Sequence, residues 1–527
     1  MLYLRRTLAL LTFVCSSPAL AQQVEPPVVL GTLAGDSSPQ GPVGVQFYGT
    51  DLGWTFRHEN QLVTLFGDSW RDQNSVCAIA TTGLPTNDDA LAIMPLERPS
   101  GVPELVVITQ HGAQGAFEPI ELMRDGVRLA MGLDRTPLTG FSDGVRPIGV
   151  FQSARFVRCY EPPTLDGDGS CTAPLRCERQ LGECFPSPFG IPQLCDAEHQ
   201  TGCVSGQVCM LTGPGYCIDR SSSQGNAVYQ VPLEVELAVP RSDSPANWES
   251  KATFTTNKLY NMTARTVRNL GDDGGVPDYR PGDKTVLMWG RPGFRADPGL
   301  DTGLYLMAHD LPFTDDASGK FVFTPRFFAG VDRLGVPVWS SEQDHAVPLA
   351  LDGKPNGDPR ETAQAVNQMA ISWLDAPIKK WIMLYSGGTL TFPGAPAPDN
   401  GSIATGAIAV RFADHPWGPW TPPQTYWDPG SPTTAHAAYG PGGVMFHPSC
   451  VDQGPLACTR SDPIRPADML NQGCAPTANA LDTGFFYASN IIDAYTEAND
   501  RGGLDIYWNL STWNPYRVLY VRSTVLP

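Results

Sequence analysis

Apolar residues recur along this chain in short runs broken by glycine and proline, and no stretch keeps the period of a long amphipathic helix. Runs of alternating or continuous apolar character at 28–33, 61–66, 91–94, 105–108, 148–151 and 154–157 predict strands in the first third. The pattern resumes at 226–239, 284–291, 303–307, 367–373, 381–385, 408–413, 444–448, 485–490 and 506–521. Clusters of strands at similar spacing, joined by Gly/Pro turns, predict an all-β fold of repeated units, either a sandwich or a closed ring of sheets. The chain has 53 glycines and 50 prolines, a supply that suits many tight turns.

Between 159 and 220 the pattern stops. Eight cysteines replace the apolar runs, and Cys171-x5-Cys177-x6-Cys184 is echoed by Cys203-x5-Cys209-x7-Cys217, with Cys159 and Cys195 preceding the two sets. Such a segment cannot bury a core large enough to hold itself, so it reads as an inserted module stapled by disulfides. Zinc is the weaker reading, because close CxxC pairs are missing. Asp166-Gly167-Asp168-Gly169 lacks the further oxygen ligands of a calcium loop and reads as a turn. The organisation predicted is a leader at 1–21, a β domain at 22–158, the insert at 159–220 and the rest of the β domain at 221–527.

The leader has Arg5 and Arg6, an apolar run at 7–14, and Ala19-Leu20-Ala21, the small-x-small pattern of a secretory cleavage site. Val14 before Cys15 is too large for a lipid-attachment site. The mature chain is expected to start at Gln22 and to be extracellular, or periplasmic in a Gram-negative source. Twelve of the 13 cysteines then remain, and an even number in an exported chain favours disulfides. A net charge of −18 with no basic cluster excludes nucleic acid and anionic membranes as expected partners, and no later apolar run is long enough to span a bilayer. A monomer is expected.

Candidate chemistry lies at 48–70, YGTDLGWTFRHENQLVTLFGDSW. Asp51 sits in a turn-like GTDLG, and Asp68 follows the run 61–66 where a strand should give out. If the polar stretch between them turns back, both carboxylates reach one end of a two-stranded unit. Two carboxylates facing one substrate are the usual requirement of glycoside hydrolysis. The plainer reading, a turn cap and a strand end, fits the spacing as well.

GTDLG followed by LFGDSW resembles the opening of a bacterial family of domains of unknown function that includes endo-D-arabinanases, and the strand pair at 506–521 resembles that family's closing pair. The resemblance covers most of the chain. It implies a five-bladed β-propeller whose last strands complete a blade with the first. It also implies a secreted glycoside hydrolase acting on an arabinofuranose-containing polysaccharide, with Asp51 as nucleophile and Asp68 as general acid/base of a retaining mechanism. Arg291 and Arg295 become candidate sugar contacts. Gln368 stands where a glutamate is common, and an amide cannot donate a proton as a carboxylic acid does. Trp54, Trp70 and Trp513 are candidate stacking platforms, and His447 a candidate cleft residue. No metal or organic cofactor is expected. The alternatives are a non-catalytic carbohydrate-binding or adhesion propeller, in which the same acidic cleft grips sugar hydroxyls, and a structural protein whose working part is the cysteine-rich module.

Overall fold

A computed structural model describes residues 22–35, 49–70, 88–109, 117–129, 131, 135–153, 233–256, 258–268, 282, 284–291, 303–351, 366–387, 408–427, 485–513 and 517–527, together with short strands between 175 and 219. The leader, Cys15, Asp166 to Gly169, Arg295, His447, Cys77, Cys450, Cys458 and Cys474 lie outside the described residues.

Five antiparallel-rich sheets follow one another along the chain. Each begins at the molecular axis with an inner strand: Gly49–His58 in blade I, Arg135–Ser142 in blade II, Tyr260–Val267 in blade III, Val366–Leu374 in blade IV and Phe485–Ile491 in blade V. Every inner strand packs against the inner strands of the two neighbouring blades, and the one of blade V returns to that of blade I. The ring therefore closes. Closure is sealed at the last sheet, where Val28–Ala34 pairs antiparallel with Arg517–Leu526, so strands from both ends of the chain share one blade. This is the five-bladed propeller, and pairing the first strand into the last sheet leaves no open seam between the chain ends.

Strand alternation shows why the blades stack. In Thr285–Arg291 of blade III, Val286 and Met288 join the apolar cluster shared with blade II, whereas Leu287 and Trp289 join the cluster shared with blade IV. In Lys380–Gly387, Trp381 and Met383 face blade III while Ile382 and Leu384 face blade V. Each sheet is buried on both faces, which is why its middle strands read as continuous apolar runs. The apolar core accordingly divides into five clusters, one per blade interface. Trp54, Trp248, Trp289, Trp381 and Trp508 are fully buried in them, and each such side chain removed from water contributes on the order of 1.5–3 kcal/mol or more.

The inner strands run in one sense, so their first residues lie at one end of the axis. The far ends are tied together by polar contacts. His58 Nδ1 meets Ser142 Oγ at 2.9 Å, Arg265 Nε lies 2.9 Å from Asp493 Oδ2, and Ser372 Oγ donates to Asp493. Connections on that side include the tight turns at Glu59-Asn60 and 143–146 and the longer 268–284, whereas five long ones, 71–87, 154–232, 292–304, 388–407 and 428–484, leave from the side where the inner strands start. Long connections on one face of a rigid scaffold mark that face as the functional one. Among the described residues, no helix is long and apolar enough to cross a membrane.

Candidate functional site

The start of each inner strand places one polar residue near the axis: Asp51, Arg135, Asn261, Gln368 and Tyr487, all largely buried. Asp51 was expected in a turn and is instead the third residue of the blade I inner strand. The glycines of GTDLG serve a kink: Leu52 and Gly53 both take left-handed backbone, φ 65° and 66°, a conformation that strains a leucine and suits a glycine. The kink breaks the ladder register between Asp51 and Trp54. Blade V compensates, since Asn509 Nδ2 donates to the Gly53 carbonyl at 2.8 Å and the Thr55 amide donates to Asn490 Oδ1 at 3.1 Å.

The polar stretch does turn back. Asp51 stands directly opposite Gly67 in the ladder, so Asp68 is the next residue along the paired strand Gln61–Trp70. Both aspartates therefore sit at the open end of one hairpin, on the face of the long connections. Asp51 is 6% exposed, and the Tyr487 hydroxyl donates to its Oδ2 at 2.8 Å, a bond spanning blades V and I. Its Oδ1 lies over Gly67, where a β-carbon would come within 2.6 Å of it. Asp68 is half-buried and also left-handed, φ 23°, at a bulge between Phe66 and Ser69. Its amide donates to Oδ1 of the fully buried Asp89 at 3.1 Å. Ser69 Oγ and Thr50 Oγ1, 2.8 Å apart, both donate to the Gly67 carbonyl and pin the two strands together at this point.

Arg135 is committed to an ionic cluster within blade II. Its Nη2 lies 3.7 Å from both Glu234 Oε1 and Glu236 Oε1, and Arg124 Nη1 bridges the same two glutamates. Glu236 also accepts from Ser250 Oγ and from Thr253 Oγ1 at 2.7 Å. Glu236 is fully buried, and these contacts commit its carboxylate to holding the strands of blade II together. Among the described residues no group of three or more His, Cys, Asp or Glu side chains could hold a metal ion.

The structure corrects one expectation outright. Trp54 is 1% exposed in the cluster between blades I and II and has no face to offer a sugar. Trp70 and Trp513 end their strands at the site end of their blades. Arg291 ends the second strand of blade III on the site face and is buried. Gln368 holds the blade IV position around the axis. Sequence reasoning missed Tyr487 and Asp89. The acidic pair Asp88-Asp89 opens the strand Asp88–Pro95, which pairs with the Asp68 strand.

No family model matches the chain, and no curated protein matches it. Solved structures similar to it include Trypanosoma rangeli sialidase in complex with the inhibitor DANA, at TM-score 0.29 and 7% identity over 94% of this chain and 59% of that one. Xylan β-1,4-xylosidase from Bacillus halodurans C-125 gives TM-score 0.30 and 7% identity over 92% of this chain and 53% of that one. The hemagglutinin-neuraminidase ectodomain of parainfluenza virus 5 gives TM-score 0.35 and 7% identity over 96% and 87%. This chain thus spans little more than half the length of the first two, 59% and 53%. The propeller topology rests on the strand order and blade packing described above, independently of these likenesses.

Proposed function

We propose that this chain is a secreted glycoside hydrolase cutting an arabinofuranose-containing or related polysaccharide by a retaining mechanism. Asp51 acts as nucleophile and Asp68 as general acid/base. The observation that supports the reading is the hairpin register, which sets Asp51 opposite Gly67 and so puts Asp68 one residue further along the neighbouring strand, at the same end of the blade. The Tyr487 hydroxyl holds Asp51 in place, and the bulge at Asp68 turns that residue out of the ladder. Reaction at an anomeric carbon needs one carboxylate within bonding reach and a second at the leaving oxygen, about 5–5.5 Å from the first in a retaining enzyme. The likeness of GTDLG and LFGDSW to the arabinanase-containing family narrows the substrate to furanose-rich glycans.

One observation favours the binding-protein reading. Gln368 puts an amide at the axis where a third carboxylate would stand, and an amide grips hydroxyls without giving up a proton. A hydrolysis screen against purified arabinans and related glycans separates the two. The enzyme reading expects cleavage with retained anomeric configuration by NMR, lost about 10²–10⁴-fold in Asp68→Asn and abolished in Asp51→Asn, with glycan binding kept by both. Binding without cleavage by the unaltered protein would establish the carbohydrate-binding propeller instead.

A further inference from the structure

The two cysteine sets of the insert look like tandem copies, and tandem copies would each close on themselves. The strands pair otherwise. Leu175–Glu178 runs antiparallel to Tyr216–Asp219, with Cys177 directly opposite Cys217. Leu181–Phe185 runs antiparallel to Val208–Met210, with Cys184 directly opposite Cys209. The second cysteine of the first set thus meets the third of the second set, and the third of the first meets the second of the second. The exchange is reciprocal, as a two-fold relation between the halves requires.

Directly opposed residues of an antiparallel ladder have their α-carbons about 4.5–5.5 Å apart. A disulfide needs roughly 4.4–6.8 Å between the same atoms. The register therefore meets the backbone requirement at both positions, in two separate sheets. Cys195, on Leu194–Asp196, falls beside this pattern because Gly182 stands opposite it.

We propose that Cys177 bonds Cys217 and Cys184 bonds Cys209, a nested pair of disulfides that joins the two halves of the insert into one unit. Each bond forms by thiol–disulfide exchange with an oxidised dithiol carrier of the export compartment. Two cysteine thiols give up two protons and two electrons, one S–S bond forms, and the carrier disulfide is reduced to two thiols. The two bonds hold together a segment too poor in apolar residues to hold itself. The strands of the five blades contain no cysteine, so the blade ladders do not depend on this chemistry.

The test is peptide mapping of the full chain, secreted from an oxidising host and alkylated without reduction. Trypsin and chymotrypsin cut after Arg179, after Phe189 and after Tyr216, which separates all four cysteines. The expected cross-linked peptides carry Cys177 with Cys217 and Cys184 with Cys209, and reduction releases them. In Cys177→Ser, a thiol-specific label should appear at Cys217 while the Cys184–Cys209 peptide persists. Links of Cys177 to Cys184 or of Cys209 to Cys217, alkylated thiols at these four positions, or a label at another cysteine in the variant would each overturn the pairing.

Discussion

At Gly67 the site has no room for one more carbon. A β-carbon there would come within 2.6 Å of Asp51 Oδ1 and, on the other side, within 2.6 Å of Leu52 Cδ1. Neither neighbour yields easily, because Tyr487 holds the Asp51 carboxylate and Leu52 is packed between blades I and II. Gly67→Ala should therefore cost about 1–3 kcal/mol in urea unfolding, the usual range for overpacking a filled site. It should also weaken whatever Asp51 does, so glycan cleavage or binding should fall together with stability. An alanine variant with unaltered unfolding would show that the two strands part more readily at this point than their packing implies. The hairpin that joins Asp51 to Asp68 was legible because it is short enough to read as a motif. Tyr487 was not, since it reaches Asp51 from 436 residues away. Asp89 was hidden for a different reason: an acidic pair before an apolar run looks like any loop until strand pairing puts it under the Asp68 amide.

Strands were legible in proportion to how many faces they bury. Thr285–Arg291 and Lys380–Gly387, apolar on both sides, could be read almost to the residue. The inner strands Arg135–Ser142 and Tyr260–Val267 could not, because an edge that faces the axis carries Thr136, Thr139 and Gly140, or Asn261, Thr263 and Arg265, in place of an apolar alternation. Asn261 and Asn509 lie in N-x-S/T sequons, and both are buried, so neither is offered for glycosylation. Blade III holds an element with a pH consequence. His309, on Tyr305–Asp310, stacks on Phe323 at 5.0 Å and packs against Phe313 at 4.7 Å, and its Nδ1–H donates to the Asp310 carbonyl at 2.6 Å. Burial lowers its pKa below the usual histidine value of 6.5; hydrogen bonding to the Asp310 and Val322 backbones and the Asp310 charge oppose this, and the Arg326 charge adds to it. The unfolded chain therefore takes up a proton below about pH 6.5 that the folded chain refuses. Stability is unaffected above that pH and falls as pH drops from there toward the depressed folded value. Urea midpoints measured from pH 7.5 to 5 should decline, and His309→Phe should flatten part of the decline. Equal slopes in the two proteins would mean that His309 is protonated without cost inside blade III.

For the molecule as a whole, closure is the feature the two chain ends announce and the insert is the feature they conceal. Val28–Ala34 lacks a neighbour until it meets Arg517–Leu526, whose other edge pairs with Leu504–Trp513. The insert, by contrast, lies in the connection from the second to the third strand of blade II, where blades I, III and IV also have long connections. Pro147–Ser153 and Leu233–Pro240 are adjacent antiparallel strands of blade II, with Gln152 opposite Val235 and the Glu234 amide donating to Ser153 Oγ at 3.1 Å. Residues 154–232 thus leave and re-enter the sheet at neighbouring points, on the face where Asp51 and Asp68 lie. Replacing 162–219 by a short Gly/Ser bridge should leave both strand ends and the clusters on either side of blade II intact. Shortening the connection also lowers the entropy lost on closing it, by about 0.6 kcal/mol for each halving of length. The deleted chain should then unfold in one transition at a temperature no lower than that of the full chain, with an unchanged β-type circular dichroism spectrum. If the deletion is insoluble or melts well below the full chain, the insert packs onto the ring and is part of its stability. If it folds but loses glycan cleavage or binding, the module contributes to the site face from which it emerges.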